Sequence, residues 1–134
     1  MEDCIFCKIV RGEIPSYKVK ETENLFVMHD INPFSKGHLL VLPKKHYENI
    51  FDIPEELLRE MVSITKEMSL KIKKELKPEG IIIMQNNGAK AGQSVFHFHI
   101  HIKPVYHDTD IPAEQPLRKK LSDEEFKEIC KILQ

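Results

Sequence analysis

The chain is short of cysteine: it has three among 134 residues, and two of them stand together as Cys4-Ile5-Phe6-Cys7. That is no framework for a disulfide-stapled secreted domain. It has no uninterrupted apolar run near the 18 or so residues a membrane-crossing helix needs, so no membrane partner is expected. It also lacks an excess of charge. With 20 Lys and Arg against 21 Asp and Glu the net charge is −1, without the basic footprint of a nucleic-acid binder. The opening Met1-Glu2-Asp3-Cys4 is acidic and has no apolar stretch, so no signal peptide is expected and a reducing cytoplasm is the expected compartment. Internal repeats and low-complexity tracts are absent. What remains, 41% hydrophobic and 31% charged residues over 134 positions, suits one soluble domain with a real core.

Against that plain background one stretch stands out. In His97-Phe98-His99-Ile100-His101-Ile102-Lys103 histidine alternates with apolar residues at a period of two, the side-chain period of a strand. A strand over these residues puts three imidazoles on one face and Phe98, Ile100 and Ile102 on the other, facing a core. At roughly 3.3 Å rise per residue the first and third Cα atoms lie about 13 Å apart. With Zn–N bonds of about 2 Å, three rings so spread do not share one metal comfortably. Separate tasks for the three are expected. A strand with surface histidines is the plain alternative, harder to hold with three of only seven histidines in one row.

The rest of the chain reads as an α+β domain. Residues 4–11 predict a short helix, ended by Gly12 and Pro15, and residues 17–21 and 25–29 predict two strands around the turn Thr22-Glu23-Asn24. The apolar run 38–42 predicts a central strand closed by Pro43. A long helix over 54–77 follows, with Pro54 in its first turn after Asp52. Its stripe of Leu57, Met61, Ile64, Met68, Ile72 and Leu76 recurs at three and four, and its charged ends read as a solvated face. Residues 81–84 predict a strand, and the polar turn 86–94 leads into the histidine strand as a hairpin. Ser122-Asp123-Glu124-Glu125 predicts a capping box for a C-terminal helix, with Phe126, Ile129 and Leu133 on one side. Cys130 on that helix reads as a small buried hydrophobe.

Histidine can act as a covalent nucleophile, and a neutral imidazole attacking phosphorus gives a phosphoramidate that water later cleaves. Such a site needs one fixed tautomer, donors aimed at phosphoryl oxygens and a proton source. The turn Gly92-Gln93-Ser94 before the histidines offers an amide, a hydroxyl and close backbone approach. The run Gly92-Gln93-Ser94-Val95-Phe96-His97-Phe98-His99-Ile100-His101 resembles the signature of the histidine triad (HIT) family of nucleotide hydrolases and transferases. Upstream, Cys4 to Ile9, Gly12 to Ser16, His29 to Pro33 and Gly37 to Lys44 resemble its Hint-like branch in order and spacing. The resemblance covers residues 4–106, leaving 107–134 as a variable tail. Lys103 departs from the pattern, which usually has an apolar residue there, and is expected to alter local packing or the rim of the site.

The resemblance implies a HIT fold, with an antiparallel sheet of about five strands, one long helix and a C-terminal helix. It implies His99 as nucleophile on an α-phosphorus, with His101 and His38 on the phosphate side. Ser94 and Gln93, with Gly92, would bind the phosphate and the leaving-group atom, and Asn86 would steady that end. Asp30 would accept the ribose hydroxyls, with His29 beside the ribose. Ile5, Phe6, Ile9, Met28 and Ile31 would form the purine slot; by themselves these apolar residues read equally well as core. The implied substrate is a purine nucleotide, AMP first, joined to an amine, acyl or phosphate group. A homodimer is implied, as is phosphoryl chemistry that requires no metal.

Cys4-x-x-Cys7 has the spacing of a zinc knuckle, with a pair of free thiols as the alternative. No second such pair exists. Hint-like proteins with this motif are similar in completing the site from a Pro-Lys-x-His segment and the first histidine of the triad, here His46 and His97. Zinc at Cys4, Cys7, His46 and His97 would be structural, with no open position. Other readings are a dinucleoside polyphosphate hydrolase, a zinc-stabilised nucleotide-binding module without turnover, and a metallohydrolase with the triad as ligands.

Overall fold

The computed structural model describes residues 3–109, 111 and 118–134. Strands β1 (Tyr17–Glu21), β2 (Leu25–His29), β3 (Leu39–Pro43), β4 (Gly80–Met84) and β5 (Ile100–Val105) form one sheet. Its order is β1-β2-β3-β5-β4, with every pairing antiparallel. Helices α1 (Ile5–Val10), α2 (Glu55–Leu76) and α3 (Asp123–Leu133) accompany it, with a 3-10 turn at Ala89–Ala91. This is the five-stranded α+β arrangement that the pattern of strands and helices predicts.

Two layers of core lie on the two faces of the sheet. Leu25, Val27, Leu39, Val41, Phe98, Ile100 and Ile102 face α2 and meet its Met61, Ile64, Met68 and Ile72, with Leu57 and Leu76 at the margins. Truncating one of these buried side chains to alanine costs about 2–5 kcal/mol. Phe26, Met28, Leu40 and Leu42 alternate to the other face and meet Phe6 of α1. Strands β2 and β3 are therefore covered on both sides, which is why they read as unbroken apolar runs. The helix α2 opens one residue later than expected. Pro54 has ψ 141 and stands before the first turn. Asp52 instead accepts the Glu48 and Asn49 N–H groups at 3.0 and 2.9 Å, folding the approach. At the far end Lys77 takes a left-handed φ of 51 and Pro78 prevents continuation.

Two expectations are corrected. The histidine strand does not begin at His97: β5 starts at Ile100. Register pairs Val41 with Ile100 and Leu39 with Ile102, so the next partner of Phe98 would be Pro43. Proline has no N–H to continue the ladder, and Phe98 N–H donates to the Tyr47 carbonyl at 2.6 Å instead. Residues 97–99 thus leave the sheet before its end, while Phe98 still faces the α2 core. The second correction concerns α3. Its capping box between Ser122 and Glu125 forms as predicted, yet the side carrying Phe126, Ile129 and Leu133 is exposed, and so is Cys130. Both apolar faces of the sheet already have covers in α2 and α1, so α3 buries none of its residues. Among the described residues no helix is long and apolar enough to cross a membrane.

Candidate functional site

Register decides which histidines meet. Leu40 of β3 pairs with His101 of β5, and His38 stands two residues before Leu40, on the same side of the sheet. His38 Nε2 then lies 2.9 Å from His101 Nδ1. The Phe34 N–H donates to His38 Nδ1 at 2.9 Å, so neutral His38 carries its proton on Nε2 and donates it to His101. His101 in turn keeps its proton on Nε2. The ring centres are 5.2 Å apart across that contact, a distance that places the two nitrogens head-on along the line between the rings. Asp30 Oδ2 is 3.5 Å from His38 Nε2. His99 is set by a different partner: its Nδ1–H donates to the His97 carbonyl at 2.7 Å. That leaves the Nε2 lone pair unprotonated and available for bonding.

His99 and His101 line a cleft of about 380 Å³ together with Ile5, Phe6, Ile9, Met28, His29, Asp30, Ile31 and Ser94, while His38 is buried behind His101 and is not among the lining residues. The volume lies within the range of small-ligand sites. One wall comes from α1, one from the end of β2, and the floor from His99 and His101. A wider depression of about 680 Å³ adjoins it, sharing Ile5, Ser94 and Val95 and continuing past Glu48, Asp52 and Phe96. Burial holds His38 and His99 below the ordinary imidazole pKa, partly offset for His99 by the hydrogen bond to His97. Burial, then the neighbouring His99 and His38, push His101 down to about 4. His38, His99 and His101 are therefore neutral near pH 7.

Not every predicted site residue reaches the cleft. Asn86, Gly92 and Gln93 are not among its lining residues. Gln93 is buried, its amide donating to the carbonyls of Glu48 (2.7 Å) and Val95 (3.2 Å) and its oxygen accepting the Gly88 N–H at 2.8 Å. Its polar atoms are all committed to bracing the turn that presents Ser94. Asn86 donates to the Ala91 carbonyl at 2.7 Å and braces the same turn, in which Gly92 takes φ 94. His29 lines the cleft, but its Nδ1–H donates to the Asp30 carbonyl and its Nε2 accepts the Gly37 N–H, at 2.8 and 2.9 Å. It staples the loop between β2 and β3 and has no nitrogen left for a ribose. Gly37 closes that loop at φ +93, where an added Cβ would stand 2.6 Å from Leu76 Cδ1.

The second histidine cluster is a metal-ligand set. Ligating atoms of Cys4, Cys7, His46 and His97 lie within 4.8 Å of one another. His97 Nδ1 is 3.3 Å from Cys4 Sγ and 3.5 Å from Cys7 Sγ, and His46 Nδ1 is 3.4 Å from Cys7 Sγ. Zn–S of about 2.3 Å and Zn–N of about 2.0 Å give a tetrahedron with S···N edges of about 3.5 Å. The donor set fits zinc. His97 is completely buried and its Nε2–H donates to the Pro43 carbonyl at 2.7 Å, which turns its Nδ1 lone pair toward the thiols. Burial pushes His97 down to about 4 and, ahead of the effect of Cys4, raises Cys7.

The HIT domain model matches residues 11–108. This chain belongs to the HIT family. The protein "hit" of Bacillus subtilis is 47% identical over 105 residues, covering 78% of this chain and 72% of that one. The adenosine 5'-monophosphoramidase HNT1 of Saccharomyces cerevisiae is 42% identical over 101 residues, covering 75% of this chain and 61% of its own length. Among solved structures, a HIT-family member from Bacillus subtilis superposes with a TM-score of 0.88 at 39% identity, covering 98% and 94% of the two chains. A zinc-bound histidine triad protein from Mycobacterium smegmatis gives 0.78 at 33% identity, covering 92% and 87%.

The HIT cleft also takes in Ile14, Pro15, Ser16, Asn32, Leu40 and Val95, none of them predicted as site residues. The signal for three was present: Gly12 turns the chain back at φ 80, and pairing of Tyr17 with His29 brings Ser16 beside Asp30. Lys103, the departure from the HIT pattern, extends its ammonium over the Phe34 ring at 5.4 Å to the centroid, behind the loop that orients His38.

Proposed function

We propose that this protein is a nucleotide hydrolase that releases a purine nucleoside 5′-monophosphate, AMP foremost, through a nucleotidyl-His99 intermediate. The observation that carries this reading is the His99 tautomer: Nδ1–H held by the His97 carbonyl at 2.7 Å, Nε2 unprotonated, the ring on the cleft. The purine lies in the slot of Ile5, Phe6, Ile9, Met28 and Ile31, and the Asp30 carboxylate accepts the ribose hydroxyls. His99 Nε2 forms a bond to the α-phosphorus as the bond to the leaving atom breaks and its electron pair departs with that atom. The leaving atom takes a proton from the exposed Ser94 hydroxyl, which recovers one from water. His101 donates its Nε2–H to a phosphoryl oxygen, backed by His38. Water then cleaves the N–P bond and returns His99 to its starting state.

Amine, acyl or phosphate leaving groups exit past Ser94 into the adjoining depression. An AMP phosphoramidate is the first choice of substrate, in keeping with the phosphoramidase relative. Structural zinc fills its four positions from Cys4, Cys7, His46 and His97 and takes no part in the phosphoryl step. We further propose a cytoplasmic homodimer joined through the edge strand β4, where Ile83 is exposed, and the exposed Val62 and Leu70 of α2. Light scattering tests the dimer. The chemistry is tested by single-turnover trapping of an AMP adduct on His99 and by a panel of AMP compounds differing in leaving group. Undiminished AMP release by His99→Ala would overturn the mechanism, and preferential turnover of a dinucleoside polyphosphate would reassign the substrate.

A further inference from the structure

The metal cluster and the nucleotide cleft are built from the same pieces. Helix α1 brings Cys4 and Cys7 to the cluster, and the residues between and just beyond them, Ile5, Phe6 and Ile9, line the cleft. His97 gives its ring to the cluster and its carbonyl to the His99 Nδ1–H. The Phe6 ring stands edge-on to both His97 and His99, with centroids 5.8 and 5.1 Å away. A six-residue helix is far too short to hold itself in water. Within α1 only Phe6 and Cys7 are buried, with Ile9 and Val10 packed partly buried against the same cluster, so its seat on the sheet rests on a small apolar contact and on the bridge to His46 and His97. The larger core between the sheet and α2 contains none of the four ligands.

We propose that metal occupancy and nucleotide binding are coupled: an ion on Cys4, Cys7, His46 and His97 completes the purine wall and steadies the segment carrying His99. This inference rests on the nucleotide reading of the cleft. His97 is then a positioning residue for His99, and the metal sets the affinity of the cleft as well as the order of α1. Coupling between two sites is reciprocal, so nucleotide must tighten the metal by the same factor by which the metal tightens nucleotide.

The test uses the full chain, zinc and AMP. Zinc affinity is measured by competition with a fluorescent chelator, without and with saturating AMP, and AMP affinity is measured on zinc-free and zinc-loaded protein. Both ratios are expected to agree at about tenfold or more. Hydrogen exchange supplies a readout independent of binding. The Lys8 and Arg11 amides, bonded to the carbonyls of Cys4 and Cys7 at 3.0 and 3.1 Å, should lose protection on zinc removal while α2 keeps its own. Equal AMP affinity with and without zinc overturns the coupling and leaves the nucleotide reading standing. Loss of α2 protection together with α1 also overturns it, since the metal would then hold the entire fold. Failure of AMP to bind zinc-loaded protein sinks the nucleotide reading first, and the coupling with it.

Discussion

His97 and His99 are two residues apart, both are buried, and each gives one ring N–H to a backbone carbonyl at 2.7 Å, yet they do opposite things. His97 donates from Nε2 to Pro43 and keeps the Nδ1 lone pair, which faces two thiols. His99 donates from Nδ1 to His97 and keeps the Nε2 lone pair, at the tip of the ring and on the cleft. The two wider clusters differ in the same way. In the metal set three S···N distances of 3.3 to 3.5 Å surround a common centre. In the His38–His101 pair the nitrogens meet head-on at 2.9 Å, the separation of a shared proton, and with Asp30 they form a second group whose ligating atoms lie within 4.8 Å of one another. Identical side chains thus keep opposite nitrogens free according to which one a neighbouring carbonyl occupies, and the proposed roles of ligand and nucleophile rest on that difference.

The largest effect that tests this contrast is on turnover. His99→Ala should lower the rate of AMP release by about four orders of magnitude or more, with zinc affinity and far-UV circular dichroism unchanged. Were zinc affinity to fall as well, the two imidazoles would not have separate roles. Cys7→Ser should act from the other side, weakening zinc by more than about 100-fold and loosening α1 while α2 keeps its protection, as read by chelator competition and hydrogen exchange. His38→Ala should reduce kcat/KM by about 10- to 100-fold while zinc binding holds, because it removes the donor to His101 and the acceptor for the Phe34 N–H, neither of which touches the metal set. A drop in zinc affinity in this variant would show that the clusters are not separate.

The smallest effect is the response to pH. His101 is held near 4 when folded, against about 6.5 for an ordinary imidazole. Above pH 6.5 it is neutral both folded and unfolded, and its neutral state adds no pH dependence. As pH falls from 6.5 toward 4 the unfolded chain takes up a proton that the folded chain refuses, so stability declines across that window. Denaturant midpoints measured from pH 7 to pH 4 should fall, and His101→Asn should flatten the fall. The acid limb of kcat/KM should likewise lie below 6.5, where His99 and His101 finally charge.

Much of the fold was legible because local periodicity and burial agree. The strand at Tyr17–Glu21 and the stripe of α2 follow from side-chain periods, and the strand at Leu25–His29 from its apolar run. The late start of β5 was not legible, because its cause lies in a different strand, where Pro43 has no N–H to offer. Gln93, Asn86 and His29 look like ligand-binding residues by type and position, and only the neighbours they meet across the fold turn them into braces. The exposed Cys130 was misjudged for the complementary reason: α3 has an amphipathic pattern, but every apolar sheet face is already covered. For the candidate metal set, the Cys4–Cys7 spacing was readable in place, whereas His46 and His97 join it only when the end of β3 and the approach to β5 are brought together.

The order of residues by itself determined that alternate positions from Phe98 to Ile102 enter a core and that imidazoles occupy the positions between. It also determined the paired thiols and the helices, since each depends on spacings of a few residues. Tertiary structure alone decided which ring nitrogen is protonated, which ring meets sulfur and which faces open space. Those outcomes depend on carbonyls and N–H groups tens of residues away in the chain, and a hydrogen bond is sensitive to tenths of an ångström that no local pattern encodes.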